Sequence, residues 1–186
     1  MIGIDEVGRG CWAGPLVVGA VRLHKPVAGL KDSKKLTAKK RQYLAGIIYK
    51  NADVGLGWIM PSQIDRHGLS WALKTAAIDA YKQIYRSAQE PVIIDGTVNF
   101  LGLKNATCLK KADDLVIEVS AASIVAKVAR DEYMSKLDAK HPGYGFSCHV
   151  GYGTARHRAA LTSLGPIVRV HRFSYRPIRN LRKVEF

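Results

Sequence analysis

Five acids in this chain occupy places where chemistry is possible. Asp5, Glu6 and Asp95 stand at the ends of short apolar stretches, and Gly8 or Gly96 follows within a few residues. Asp113 and Asp114 immediately precede a long helical pattern. A carboxylate at the end of a buried strand is costly unless a cation or hydrogen bonds compensate it. Taken singly, Asp5 and Asp95 suit turn capping equally well. Taken together, three or four carboxylates from separated segments of a chain of net charge +14 read as oxygen ligands for a hard divalent cation. Mg²⁺ or Mn²⁺ fits carboxylate and water ligands, and no Cys/His cluster has zinc spacing. Carboxylate-held metal pairs about 3.5–4 Å apart cleave phosphodiesters, one ion activating water and the other steadying the leaving oxygen. Adjacent residues of a regular strand face opposite ways. Asp5 and Glu6 can therefore serve together only if the strand ends there, which Gly8 and Gly10 would allow.

The charge names the partner class. Lys and Arg total 29 against 15 Asp and Glu. A domain this basic repels itself, which a polyanionic partner offsets, and nucleic acid is the first candidate. Lys34 and Lys35, with Lys31, Lys39, Lys40 and Arg41, make a basic loop and helix start suited to phosphates or to solvent alone. Lys127 and the cluster Arg172, Arg176, Arg179, Arg182 and Lys183 could extend a duplex groove. Gly8-Arg9-Gly10 lets backbone N–H and C=O groups approach a ligand closely, including a ribose 2′-OH, or serves as a plain tight turn. His149, His157 and His171 read as structural or phosphate-contacting rather than as metal ligands.

The elements that must position these groups follow from pattern. Residues 1–5 and 14–23 read as strands, as do 54–60 despite Gly55 and Gly57, 91–95 and 103–111. Thr37 caps a helix to about Asn51, with Leu44, Ile47 and Ile48 on one face. Residues 61–68 read as a turn into a helix over 70–88, where Leu73, Ala77, Ala80 and Ile84 recur at helical period. A helix over 115–139 carries Ile117, Ala121, Ile124 and Val128 inward. Thr154 caps a last helix to Leu164. This is an α/β chain with a mixed central sheet flanked by helices. Residues 1–164 read as the catalytic domain and residues 165–186 as a small, basic, helical extension.

Other classes fall away. With 186 residues, 47% hydrophobic and 24% charged, the chain suits one soluble globular domain. The longest uncharged run, residues 11–21, is too short to span a bilayer. No basic, apolar leader precedes Ile2. Cys11, Cys108 and Cys148 cannot all pair, which fits a reducing cytoplasm.

The ordered blocks then resemble ribonuclease HII, the type 2 ribonuclease H. They begin with Asp5-Glu6-Val7-Gly8-Arg9-Gly10 and Ala13-Gly14-Pro15, then Asp32-Ser33-Lys34-Lys35-Leu36, Ile94-Asp95-Gly96 and Lys111-Ala112-Asp113. Ala121-Ala122-Ser123-Ile124-Val125-Ala126-Lys127-Val128, Arg130-Asp131, Gly151-Tyr152-Gly153-Thr154 with His157, and His171-Arg172-Phe173 complete the series. The resemblance implies a ribonuclease H-like fold and a Mg²⁺- or Mn²⁺-dependent, two-metal endonuclease. Its substrates would be RNA–DNA hybrids and duplex DNA carrying single ribonucleotides, cut on the 5′ side to leave 3′-hydroxyl and 5′-phosphate ends, in replication and repair. It places the metal-binding, catalytic acids at Asp5, Glu6, Asp95 and one of Asp113 and Asp114, with the register favouring Asp113 and leaving Asp114 as a helix cap. It implies that Gly8, Arg9 and Gly10 read the 2′-OH, that Lys34 and Lys35 bind substrate, and that Tyr152, with Tyr144 as rival, stacks beside the scissile site. Cys11-Trp12 departs from the family pattern. The expected state is a cytoplasmic monomer with no membrane and no obligate protein partner. A basic binding module whose acids merely cap turns, or a junction-resolvase-like nuclease on the same fold, are the competing readings.

Overall fold

A computed structural model of the chain describes residues 1–30 and 36–181. Lys31, Lys34, Lys35, Arg182 and Lys183 therefore lie outside the described residues. Five strands form one sheet, β1 (Ile2–Val7), β2 (Leu16–Leu23), β3 (Ala52–Ile59), β4 (Val92–Asp95) and β5 (Ala106–Leu109), in the order β3-β2-β1-β4-β5. β1 runs antiparallel to β2 and parallel to β4, and β4 runs parallel to β5. The sheet is mixed, as the alternation of strands and helices predicts.

The helices are α1 (Ala38–Asn51), α2 (Pro61–His67), α3 (Leu69–Ile84), α4 (Ala112–Leu115), α5 (Ile117–Lys140), α6 (Phe146–His149), α7 (Ala155–Leu164) and α8 (Arg176–Leu181). Both threonine caps form: the Thr37 hydroxyl accepts the Lys40 N–H, and the Thr154 hydroxyl accepts the His157 N–H. Residues 61–67 are helical rather than a turn. Pro61 starts α2, the Gln63 side chain accepts the Met60 N–H at 2.9 Å, and Gly68 ends it at φ 83°. The acids at 113 and 114 do not cap the long helix either. They lie within the single turn of α4, which extended Val116 separates from α5.

The chain divides into two compact units. One comprises Met1–Val7, Val17–Trp58 and Leu73–Val128. Its core gathers Val21, Leu30, Leu44, Ile48, Ala121, Ile124 and Val125. Here α5 lies close on the sheet, because a Cβ at Gly3 or Gly19 would strike the backbone of Glu118 or Ala122. Gly55 and Gly57, which weaken β3 as a pattern, serve the same purpose under Ala80 and Ala76 of α3. The other unit comprises Gly8–Leu16, Ile59–Ala72 and Ala129–Phe186. Ala13, Met134, Tyr144, Phe146, Leu161 and Ile178 form its core. Among the described residues no helix is long and apolar enough to cross a membrane.

Candidate active site

The acids belong to the first unit. Ile4 of β1 pairs with Ile94 of β4, so Asp5 and Asp95 are the next residues on adjacent parallel strands. Asp95 Oδ1 accepts the N–H of Ala112 at 2.8 Å, tying the end of β4 to the residue before Asp113. Asp113 is 1% exposed with both carboxylate oxygens shielded, whereas Asp114 is exposed. Asp5 is 8% exposed; its carboxylate accepts the Glu6 N–H at 2.8 Å and a bond from the Ser123 hydroxyl of α5. Burial first, then the negative charges of Glu6 and Asp95, push the Asp5 carboxyl up to about 7.

The strand does not end at the acids. Pairing continues through Glu6 with Val18 and Val7 with Val17, because Val17 and Val18 offer a regular antiparallel partner. Regular alternation would turn Asp5 and Glu6 to opposite faces, yet the charge of Glu6 acts on Asp5, so the two carboxylates share one field although the strand continues past them. Among the described residues, no three His, Cys, Asp or Glu side chains are gathered into a ready metal-binding group. What Asp5, Asp95 and Asp113 offer is donor chemistry and position: hard oxygen donors on neighbouring elements, in a field that a cation would relieve. That donor set fits Mg²⁺ or Mn²⁺ and does not fit a soft metal.

The second unit holds the remaining candidates, and Gly8 follows Val7 of β1 directly in the chain. The Gly8 carbonyl accepts the Cys11 N–H at 3.3 Å, placing Arg9 and Gly10 at the corners of a turn. Gly8 has φ 88°, and a side chain there would strike Arg130. Gly10 differs: a Cβ would meet nothing within 4 Å, so internal packing does not require glycine at that corner. The Trp12 and Ala13 N–H groups donate to the Gly151 carbonyl, at 2.8 and 3.3 Å, which stitches this loop to the residue before Tyr152. The departing pair Cys11-Trp12 is accommodated here. Cys11 is buried and bonds the Tyr152 hydroxyl, while the Trp12 ring covers Gly153.

Tyr152 is 42% exposed and Tyr144 only 6%. The Tyr144 hydroxyl donates within the fold to the Leu164 and Gly165 carbonyls, at 3.1 and 2.7 Å, and its ring stacks on Phe146. Tyr144 is a core residue. The three histidines are core residues as well, each buried, so a phosphate-contacting role is set aside. One set of tautomers satisfies their contacts. His149 Nε2–H donates to the Tyr144 carbonyl and Nδ1 accepts the Gly151 N–H. His157 Nδ1–H donates to the Tyr152 carbonyl, and His171 Nε2–H donates to His157 Nε2 at 3.2 Å. All three are then neutral. Burial, followed by the neighbouring histidines, lowers His157 and His171 to about 4.

Arg172, read from sequence as one of a cluster that could extend a duplex groove, does not line one. It is fully buried, as is Arg130, and burial lowers its pKa. Arg130 donates to the carbonyls of Pro15, Val150 and Ala13 at 2.8, 2.8 and 3.1 Å. Arg172 donates to Gly14 and Arg9. Arg176 and Arg179 remain exposed on α8, and Lys127 is half-buried on α5. Sequence reasoning missed Arg130 and Tyr175 as site-shaping residues, and no local signal distinguishes a buried arginine from a solvated one.

A five-stranded mixed sheet with Asp5 and Asp95 on adjacent parallel strands has the ribonuclease H-like architecture. Two solved structures share that architecture. Ribonuclease H2 from Pyrococcus horikoshii matches with a TM-score of 0.82 at 26% identity, covering 98% of this chain and 96% of that one. Ribonuclease HII from Archaeoglobus fulgidus, solved in a PCNA complex, matches with a TM-score of 0.80 at 29% identity, covering 97% and 96%. The family model for ribonuclease HII matches residues 2–177. A ribonuclease HII from Jannaschia sp. is 42% identical over 185 residues, 96% of this chain and 90% of that protein. The chain belongs to the ribonuclease HII family. It is a type 2 ribonuclease H, an endonuclease acting on RNA–DNA hybrids.

Proposed function

We propose that Asp5, Glu6, Asp95 and Asp113 hold Mg²⁺ or Mn²⁺, as a pair of ions, at the phosphate 5′ of a ribonucleotide. The substrates are RNA–DNA hybrids and duplex DNA with an embedded ribonucleotide, and the products carry 3′-hydroxyl and 5′-phosphate ends. The observation that carries this reading is the placement of Asp5, buried on β1 in the field of Glu6 and Asp95. When bound, the ions supply positive charge to the phosphate and make water acidic enough to act as nucleophile. The protein's own part is to orient. Ser123 and the Glu6 N–H fix the Asp5 carboxylate, and Ala112 N–H fixes that of Asp95. Gly8, Arg9 and Gly10 sense the 2′-OH, supported by the open space over Gly10. Tyr152 stacks on the nucleotide, supported by its exposure. Lys34 and Lys35 bind phosphates. We read the chain as a cytoplasmic monomer working in ribonucleotide removal without an obligate partner.

The test is cleavage of a DNA duplex carrying one ribonucleotide. Mg²⁺ or Mn²⁺ should support a single cut 5′ of that residue, EDTA should stop it, and an all-DNA duplex should survive. Binding without cleavage in either metal would remove the assignment. Asp113→Asn should abolish turnover while Asp114→Asn keeps most of it; the reverse result would move the fourth ligand to Asp114.

A further inference from the structure

The backbone carbonyl of Arg9, at the corner of the turn read above as the 2′-OH sensor, is held from two sides. Arg172 Nη1 donates to it at 3.1 Å and the Tyr175 hydroxyl donates to it at 2.6 Å. The two donors are themselves joined, since Arg172 Nη1 also donates to the Tyr175 hydroxyl at 2.9 Å. The remaining nitrogens of Arg172 close on the far end of the same loop, Nε and Nη2 reaching the Gly14 carbonyl at 3.1 and 2.9 Å. One planar guanidinium therefore bridges both ends of the segment from Arg9 to Gly14, a task its fixed fork suits and a lysine ammonium does not. A fully buried cation satisfied largely by carbonyls is expensive. A turn that needed only to reverse the chain would not require it.

We propose that Arg172 and Tyr175 are positioning residues that set the ribose specificity of this enzyme by locking the Arg9 carbonyl in the turn. The proposal rests on the reading that Gly8, Arg9 and Gly10 sense the 2′-OH. A sensor of one hydroxyl discriminates only if its own donors and acceptors are held before the ligand arrives; a carbonyl free to swing would accept a deoxyribose at little cost. Neither residue needs to touch substrate. Tyr175 leads into α8, so the basic tail takes part in specificity through a backbone clamp.

The experiment measures the dissociation constants of the full-length protein, in EDTA, for two duplexes of one sequence. One carries a single ribonucleotide and the other is all DNA. Their ratio is the 2′-OH discrimination. Tyr175→Phe removes one hydroxyl and no volume. It should lower that ratio roughly three- to tenfold, the worth of one hydrogen bond, with the all-DNA affinity unchanged and the thermal midpoint lowered by about 2–4 °C at most. Arg172→Lys should lower the ratio further; if that variant does not fold, Tyr175→Phe decides alone. An unchanged ratio in Tyr175→Phe, or an equal loss of affinity for both duplexes, overturns the clamp. A ratio of one in the unmodified protein overturns the sensing role of the turn itself, which separates that failure from failure of the clamp.

Discussion

At the end of β1 where the chain begins, acids are matched by cations. Arg22 of β2 donates to Glu90 Oε1 and Asp53 Oδ2, each at 2.6 Å, to Glu90 Oε2, and to the Ile84 carbonyl. The Met1 amino group adds to Glu90, while Arg86 and His24 add to Asp53. Hydrogen bonds from Arg22 hold Glu90 below its ordinary pKa; burial works against Asp53, but Arg22, His24 and Arg86 hold it below as well. At the other end of the same strand Asp5 is pushed the opposite way, by burial and by further acids. Where the fold supplies cations, half-buried acids stabilise it. Where it sets acid beside acid, stability is given up locally, as the proposed cation site requires.

Asp5→Asn should reduce hydrolysis of a single-ribonucleotide duplex by more than about 100-fold, beyond the loss typical of removing an outer-shell partner. Its thermal midpoint should stay or rise, because a buried like charge is gone. A fall of several degrees would mean that the two ends do the same job. Arg22→Met should show the reverse pattern. Removing the cation that Asp53 and Glu90 share, while their other partners remain, should cost about 1–3 kcal/mol, lowering the midpoint by roughly 2–10 °C, while turnover per folded molecule is retained.

The smallest effect is one of pH. Asp53 has a folded-state pKa below its ordinary 3.8, so its contribution is full above that value and disappears as pH falls through the lowered one. The gap in midpoint between the unmodified protein and Asp53→Asn should thus be open at neutral pH and close below about pH 3.8. His157 and His171, lowered from 6.5 to about 4, stabilise the fold above 6.5 and lose that contribution as pH falls toward 4. Both proteins share that loss, so it cancels in the gap. A gap that stays constant to pH 3 would show that Asp53 is not held by its cations.

Much of the fold is legible along the chain because its signals are local. Thr37 and Thr154 cap where a threonine before a periodic run should, and the apolar stretches ending at Asp5 and Asp95 became neighbouring strands. The misses are cooperative. Nothing local says that β1 stays paired through Glu6, because its partner residues Val17 and Val18 follow a loop. Arg172 and Arg179 look alike in sequence, yet one is fully buried and the other is exposed.

Residue type and spacing alone determined the chemistry on offer: hard oxygen donors at strand ends, a glycine turn and an excess of basic side chains. Those are properties of side chains and their nearest neighbours. Only the tertiary structure decided which acids share a field, which arginines give up solvent for backbone carbonyls, and which tyrosine stays exposed. Burial and electrostatic coupling depend on segments that the chain separates by tens of residues, and folding alone brings them together.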